Sequence, residues 1–305
     1  MCDKPVSVII TDLDNTLFDW FGPWYGAFKA VLEHLVRETG LSEARILDDV
    51  KAVHQRYGTS EYALLLQELS YLHPVRNSRP QLAARSAQAY RDAQRATLCL
   101  HKDVLDTLLV LRETGCLLIG YTESQALYSA YRLHALGLDG LIDVLYSPPS
   151  HGLPEDGCLD HLSFFPLCDA ALRHTQHRVL PAGEYKPNPA RLTAILSEVG
   201  ARPAEAIYIG DSLSKDVVMA QACGVRDVYA EYGARHHRLE YELLRAVTHW
   251  TPEQVEHERC LRKTEARPSY TLHQSFGQLV DLFRFTSFTP RQRERARASE
   301  PVEAC

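Results

Sequence analysis

A chain of 305 residues, 45% of them hydrophobic, has ample material for a core and the length for one large domain with an insertion or for two domains. Its formal net charge of -6 excludes the broad basic footprint of a nucleic-acid-binding protein. No apolar stretch has the length of a membrane span, since the candidate at 104–121 is cut by Asp106, Arg112 and Glu113.

The opening residues MCDKP lack the charged start and apolar run of a signal peptide. The eight cysteines are scattered without C-x-x-C spacing, and a chain of this length does not need disulfides to hold a core. The expectation is a soluble cytoplasmic protein with reduced cysteines, with neither nucleic acid nor membrane among its partners.

In chain order, short apolar runs at 6–11, 116–121, 141–146, 206–209 and 225–229 read as strands. Helical periodicity marks 103–114, 123–136, 189–199 and 214–223. Near-continuous apolar strands separated by helices imply an α/β core, a Rossmann-like parallel sheet covered by helices on both faces. Residues 18–103 show amphipathic helical patterns and no convincing strand, which is too long for a connection and reads as an inserted all-helical domain. The core would then span 1–17 and 104–286. Residues 147–185, rich in Pro, Gly, His and Cys, read as an irregular excursion. Within 231–286, "HHRLEYELLRAVTHW" and "QSFGQLVDLFRF" read as helices packed on the core, and the polar tail 287–305 as disordered.

The chemistry begins where the first apolar run delivers Asp12 and Asp14, two carboxylates that repel each other unless positive charge lies between them. An EF-hand loop shares the D-x-D start but needs Gly where Leu17 stands and Glu where Pro23 stands. In an open parallel sheet, ligands bind at the carboxyl ends of the strands. Asp12 and Asp14 follow the first predicted strand, Thr122 ends the second, Lys186 precedes a helix, and Asp211 follows the strand at 206–209 with Asp216 close behind. Distant segments thus bring carboxylates, a hydroxyl and a lysine to one edge, a donor set suited to Mg2+.

Each residue also has a structural alternative. The aspartates suit a strand-ending turn, and Thr122 with Gln125 spells a capping box. Lys186 precedes a helix that Asn188 would cap and Pro189 would open, while Asp211 and Asp216 suit a cap and a first helical turn. None of these alternatives explains why all the residues converge.

These motifs resemble the haloacid dehalogenase superfamily. Its D-x-D-x-T/S is matched by Asp12, Asp14 and Thr16, its strand-ending Ser or Thr by Thr122, its K-P-x-P by Lys186 to Pro189, and its G-D-x(3-4)-D by Gly210, Asp211 and Asp216. The helical insertion resembles that family's α-helical cap between motifs one and two. The resemblance implies a Mg2+-dependent phosphohydrolase of a small phosphorylated metabolite, acting through an aspartyl-phosphate. Asp12 would be the nucleophile and Asp14 the general acid and base, with Thr122 on a phosphate oxygen and Lys186 neutralising Asp12. Mg2+ would be held by Asp12, the Asp14 backbone carbonyl and Asp211, with Asp216 as ligand or support. The family's dehalogenases lack an acid at position 14, because halide leaves without a proton. A phosphotransferase or mutase on the same motifs, and a non-catalytic binding or regulatory protein on the same scaffold, are the alternatives.

Glu123 departs from the Asn or Asp frequent in that family after the strand-ending hydroxyl, and a further acid there would disfavour highly anionic ligands. Phe18, Trp20, Phe21, Trp24 and Tyr25 line a substrate entrance or pack a core, and Arg56 is a candidate contact for an anionic group. Lys29 and Lys51 are the insertion's lysines before Lys102, with nothing to single out either as a Schiff base. Cys158, His161, Cys168, His174 and His177 match structural zinc spacing only loosely.

Overall fold

In the computed structural model, the residues described are 5–72, 81–152, 160–166, 171–234, 239–256 and 266–290. Seven parallel strands form one sheet: β1 (Val8–Thr11), β2 (Leu117–Tyr121), β3 (Val144–Ser147), β4 (Gln176–Val179), β5 (Ala206–Gly210), β6 (Arg226–Ala230) and β7 (Tyr270–Leu272), in the spatial order β4-β3-β2-β1-β5-β6-β7. The central strand β1 pairs with β2 on one side and β5 on the other, Ile10 lying opposite Ile119 and Tyr208.

The unbroken apolar run of β1 follows from burial on both faces. Ile9 points into a cluster with Leu118, Ile207, Leu108 and Leu111, whereas Val8 and Ile10 join Ile119, Tyr208, Leu192 and Ile195 on the opposite face. Helix α5 (Val104–Glu113) packs on the first face, and α7 (Pro189–Val199) with α8 (Val218–Ala222) on the second.

Between β1 and α5 the described residues form no strand beyond isolated bridges, and the helices are α1 (Phe21–Thr39), α2 (Glu43–Tyr57), α3 (Leu65–Glu68) and α4 (Leu82–Thr97). Helix α2 matches its sequence pattern because both ends are specified. Ser42 accepts from the Arg45 N–H, and Gly58 takes the left-handed conformation (φ +65°) that closes the C-terminus. Trp24, Phe28, Val31, Val50 and Tyr90 form a core within this insertion, joined by Tyr128 of α6 (Ala126–Ala135), Phe164, Phe165, Leu244 and Val247. The chain leaves and re-enters the sheet region side by side, with the His101 N–H donating to Leu17 O at 2.9 Å.

Several sequence expectations need correction. The excursion at 147–185 contains β4, whose sequence QHRV is polar because it is an edge strand with its side chains partly in solvent. Among its described residues the segment 231–286 contains the opposite edge strand, β7, three residues long, and short helical stretches that include α9 (Tyr241–Ala246) and α10 (Leu279–Leu282). The strand predicted at 141–146 is displaced to Val144–Ser147 because Leu141 and Ile142 turn back onto Leu138. Residues 287–290 of the tail include Phe288, whose N–H donates to Gly115 O, and 291–305 lie outside the described residues. Among the described residues no helix is long and apolar enough to cross a membrane.

Candidate active site

Parallel strands point their carboxyl ends the same way, so β1, β2 and β5 deliver Asp12, Thr122 and Asp211 to one edge of the sheet. After Asp12 the backbone turns sharply. Asn15 takes φ +60°, which Asn tolerates better than most residues, and its Oδ1 accepts from the N–H groups of Trp20 and Phe21 as α1 begins. At the end of β5, a Cβ on Gly210 would lie 2.3 Å from the Asp216 carboxyl carbon, so glycine is required for the close approach. Asp216 itself lies in a π-helical turn, Leu213–Val217, directly after that strand.

Lys186 joins the strand ends. Its Nζ donates to Asp12 Oδ1 at 2.6 Å and to Asp216 Oδ1 at 3.0 Å, and lies 5.0 Å from the Tyr121 ring centre and 5.5 Å from that of Tyr208. Asp216 is further held by the Tyr208 hydroxyl and the Ser212 N–H, and Asp12 Oδ2 accepts from Thr16 Oγ1 at 3.3 Å. One ligand atom each from Asp12, Asp211 and Asp216 lies within 4.8 Å of the others.

Burial raises the Asp12 carboxyl to about 7 despite the pull of Lys186, with Asp216 adding to the rise. Burial likewise pushes Asp211 well above the usual carboxylate range, with Asp12 and Asp216 reinforcing it. Burial would neutralise Lys186, but Asp12 and Asp216 outweigh it and hold the ammonium firmly charged. Three clustered carboxylates against one lysine leave surplus negative charge, and the donors are all hard oxygens. That set fits a small divalent cation such as Mg2+.

Asp14 stands apart from this cluster. Its Oδ1 is 3.4 Å from Arg132 NH1, and burial raises its carboxyl to about 6 against that guanidinium. Arg132, only 1% exposed, also donates to Ser124 Oγ at 3.1 Å and through NH2 to Glu61 of the insertion. Neither Arg132 nor Glu61 was legible as a site residue. The one hint was a charged residue interrupting the apolar positions of the helix around Leu127 and Leu133.

The remaining sequence candidates are placed as follows. Thr122 is buried at the end of β2, but its Oγ1 accepts from the Ser124 N–H, and α6 begins only at Ala126, so the capping box with Gln125 does not form. Asn188 does cap α7, with Pro189 as its first residue. Both oxygens of Glu123 are engaged, one pairing with Lys215 Nζ at 2.7 Å and the other accepting the Lys186 N–H at 2.8 Å. Phe18, Phe21 and Trp24 are buried in packed cores, Trp24 stacking on Phe28, whereas Trp20 and Tyr25 are half-buried. Arg56 is paired with Glu68 on the surface. Of the loose zinc pattern, Cys158 and Cys168 lie outside the described residues, and His177 pairs with Ser147 Oγ at 2.8 Å.

Residues 6–224 match the family model of haloacid dehalogenase-like hydrolases. The chain is similar to a glyceraldehyde 3-phosphate phosphatase of Methanopyrus kandleri, 25% identical over 237 residues that cover 75% of this chain and 85% of the relative. It is also similar to a phosphoserine phosphatase of Thermus thermophilus, 32% identical over 118 residues, covering 38% and 42% of the two chains. Its fold is shared with a 2-haloacid dehalogenase from Pseudomonas syringae pv. Tomato at a TM-score of 0.50 and 19% identity, over 91% and 97% of the chains. The chain belongs to the haloacid dehalogenase-like hydrolase family.

Proposed function

We propose that the protein is a Mg2+-dependent phosphohydrolase of a small phosphorylated metabolite, working through an aspartyl-phosphate. The observation that carries this reading is the pair of carboxylates with divided surroundings: Asp12 against Lys186 in the cluster, and Asp14 beside Arg132 outside it. In the first step an Asp12 oxygen attacks phosphorus and the bond to the ester oxygen breaks. The leaving alkoxide takes a proton from the Asp14 carboxyl, whose raised pKa of about 6 leaves part of it protonated near neutral pH. In the second step Asp14 accepts a proton from the attacking water, phosphate leaves, and Asp12 is restored.

Lys186 keeps Asp12 oriented and offsets the meeting of two anions, and Thr122 offers its hydroxyl to a phosphate oxygen. Mg2+ would be held by Asp12, the Asp14 backbone carbonyl and Asp211, and would supply positive charge for the phosphate oxygens. Both Asp216 oxygens already accept hydrogen bonds, from Lys186 and Tyr208 and from the Ser212 N–H, which suits a supporting role. The helical insertion acts as a cap that excludes water and selects the leaving group, supported by the reach of Glu61 to the cation beside Asp14. The relatives' names, a phosphatase of glyceraldehyde 3-phosphate and one of phosphoserine, support a small phosphate monoester as substrate.

The test is phosphate release from p-nitrophenyl phosphate and a panel of sugar phosphates, nucleotides and phosphoglycolate. It is run with Mg2+, with EDTA, and with Asp12→Asn in Mg2+. Release that requires the metal and is lost in the variant is expected. No release from any ester by the wild-type protein with Mg2+ would refute the reading.

A further inference from the structure

Glu123 joins three loops that come from distant parts of the sequence. It follows the end of β2, its Oε1 accepts the backbone N–H of Lys186 at 2.8 Å, and its Oε2 binds Lys215 Nζ at 2.7 Å. Lys215 belongs to the π-turn that also presents Asp216. Lys215 Nζ also lies over the ring of Trp250, 4.9 Å from its centre. Trp250 is tied in turn to the insertion: its carbonyl accepts from Gln55 Nε2 at 3.3 Å, and the neighbouring His249 N–H donates to Ser60 Oγ at 3.3 Å.

We propose that Glu123 is a positioning residue for Lys186, a carboxylate strut that spans the Lys186 backbone and Lys215 and so holds Lys186 Nζ between Asp12 and Asp216. The proposal rests on the phosphohydrolase reading of the site. Both oxygens of Glu123 are engaged in this way, so its charge is spent on Lys215 rather than directed at an anionic ligand. The two contacts lie on opposite sides of one carboxyl group. A side chain shortened by a methylene cannot reach both, and an amide keeps an oxygen for the Lys186 N–H but turns an NH2 donor toward the Lys215 ammonium.

The experiment compares Glu123→Ala, Glu123→Asp and Glu123→Gln with the wild-type protein, using p-nitrophenyl phosphate in Mg2+. Hydrogen exchange of the Lys186 amide is followed in parallel by NMR. Displacement of Lys186 is expected to lower kcat about 10- to 100-fold in the Ala and Asp variants with KM changed less than about threefold. Glu123→Gln, which keeps only the Lys186 bond, is expected to fall between the wild-type protein and Glu123→Ala in kcat, and the Lys186 amide to exchange fastest in the Ala and Asp variants. If the Ala variant does not fold, the Asp and Gln variants carry the comparison, since a role through charge alone makes Asp the active one. Wild-type kcat and amide exchange in Glu123→Asp, or a loss confined to KM, would overturn the proposal. Should the wild-type protein hydrolyse no ester, the phosphohydrolase reading fails, while the Lys186 amide still decides whether the strut exists.

Discussion

Arg132 NH1 lies 3.4 Å from Asp14 Oδ1 while NH2 of the same guanidinium donates to Glu61, so one buried cation joins the candidate general acid to the helical insertion. Arg132 comes from α6 on the sheet side, and Glu61 is itself 5% exposed. Replacing Arg132 with Met leaves two carboxylates near each other without their cation. Arg132→Met is expected to destabilise the protein by about 3–5 kcal/mol, the cost of breaking a buried pair from one side. Urea unfolding checks this, and a loss below about 1 kcal/mol would show that the pair contributes little.

Asp12→Asn removes the nucleophile while keeping its shape. Phosphate release is expected to fall by at least about 10⁴-fold in Mg2+ with the far-ultraviolet circular dichroism unchanged. Turnover within tenfold of wild type would rule out an aspartyl-phosphate at this residue.

The carboxylate cluster should make stability depend on Mg2+. A cation that binds the folded state alone stabilises it by about 2.7 kcal/mol at a concentration 100 times its dissociation constant. The thermal midpoint of the wild-type protein is therefore expected to climb with added Mg2+ and that of Asp211→Asn to stay flat. Equal shifts in the two proteins would place the cation elsewhere.

His54 is buried against the carbonyl of Val247, to which its Nδ1–H donates at 2.7 Å. Burial lowers its pKa from 6.5 to about 4, with the neighbouring His249 acting in the same direction and the Val247 bond opposing. The unfolded chain therefore binds the extra proton first as pH falls, and this residue's stability contribution, intact above about 6.5, is lost on descending to about 4. The raised carboxyls of Asp12 and Asp14 act oppositely in the same range, favouring the folded state as pH falls. The informative quantity is the difference between wild type and His54→Gln. Wild type is expected to lose about 1–3 kcal/mol more than the variant between pH 6.5 and 4, measured by urea unfolding. Parallel curves would show that His54 does not titrate against folding.

The local pattern by itself determined the central strands, the helical character of the insertion, and the residues at the strand ends. β1 is legible because it is buried on both faces and must be apolar throughout; Asp12, Asp14, Thr122, Asp211 and Asp216 are legible because each stands at a short offset from the end of such a strand, and Lys186 because it precedes the helix that Asn188 and Pro189 open. The edge strands β4 and β7 were not, since a strand paired on one side and partly solvated carries polar residues such as those of QHRV. Tertiary structure alone decided how the charges around Asp14 and Glu123 are paired. Arg132 meets Asp14 across 118 positions and Glu61 across 71, and Glu123 meets Lys215 across 92. No local periodicity encodes a contact between side chains that far apart, because it exists only once the insertion, the sheet and the loops between them have packed.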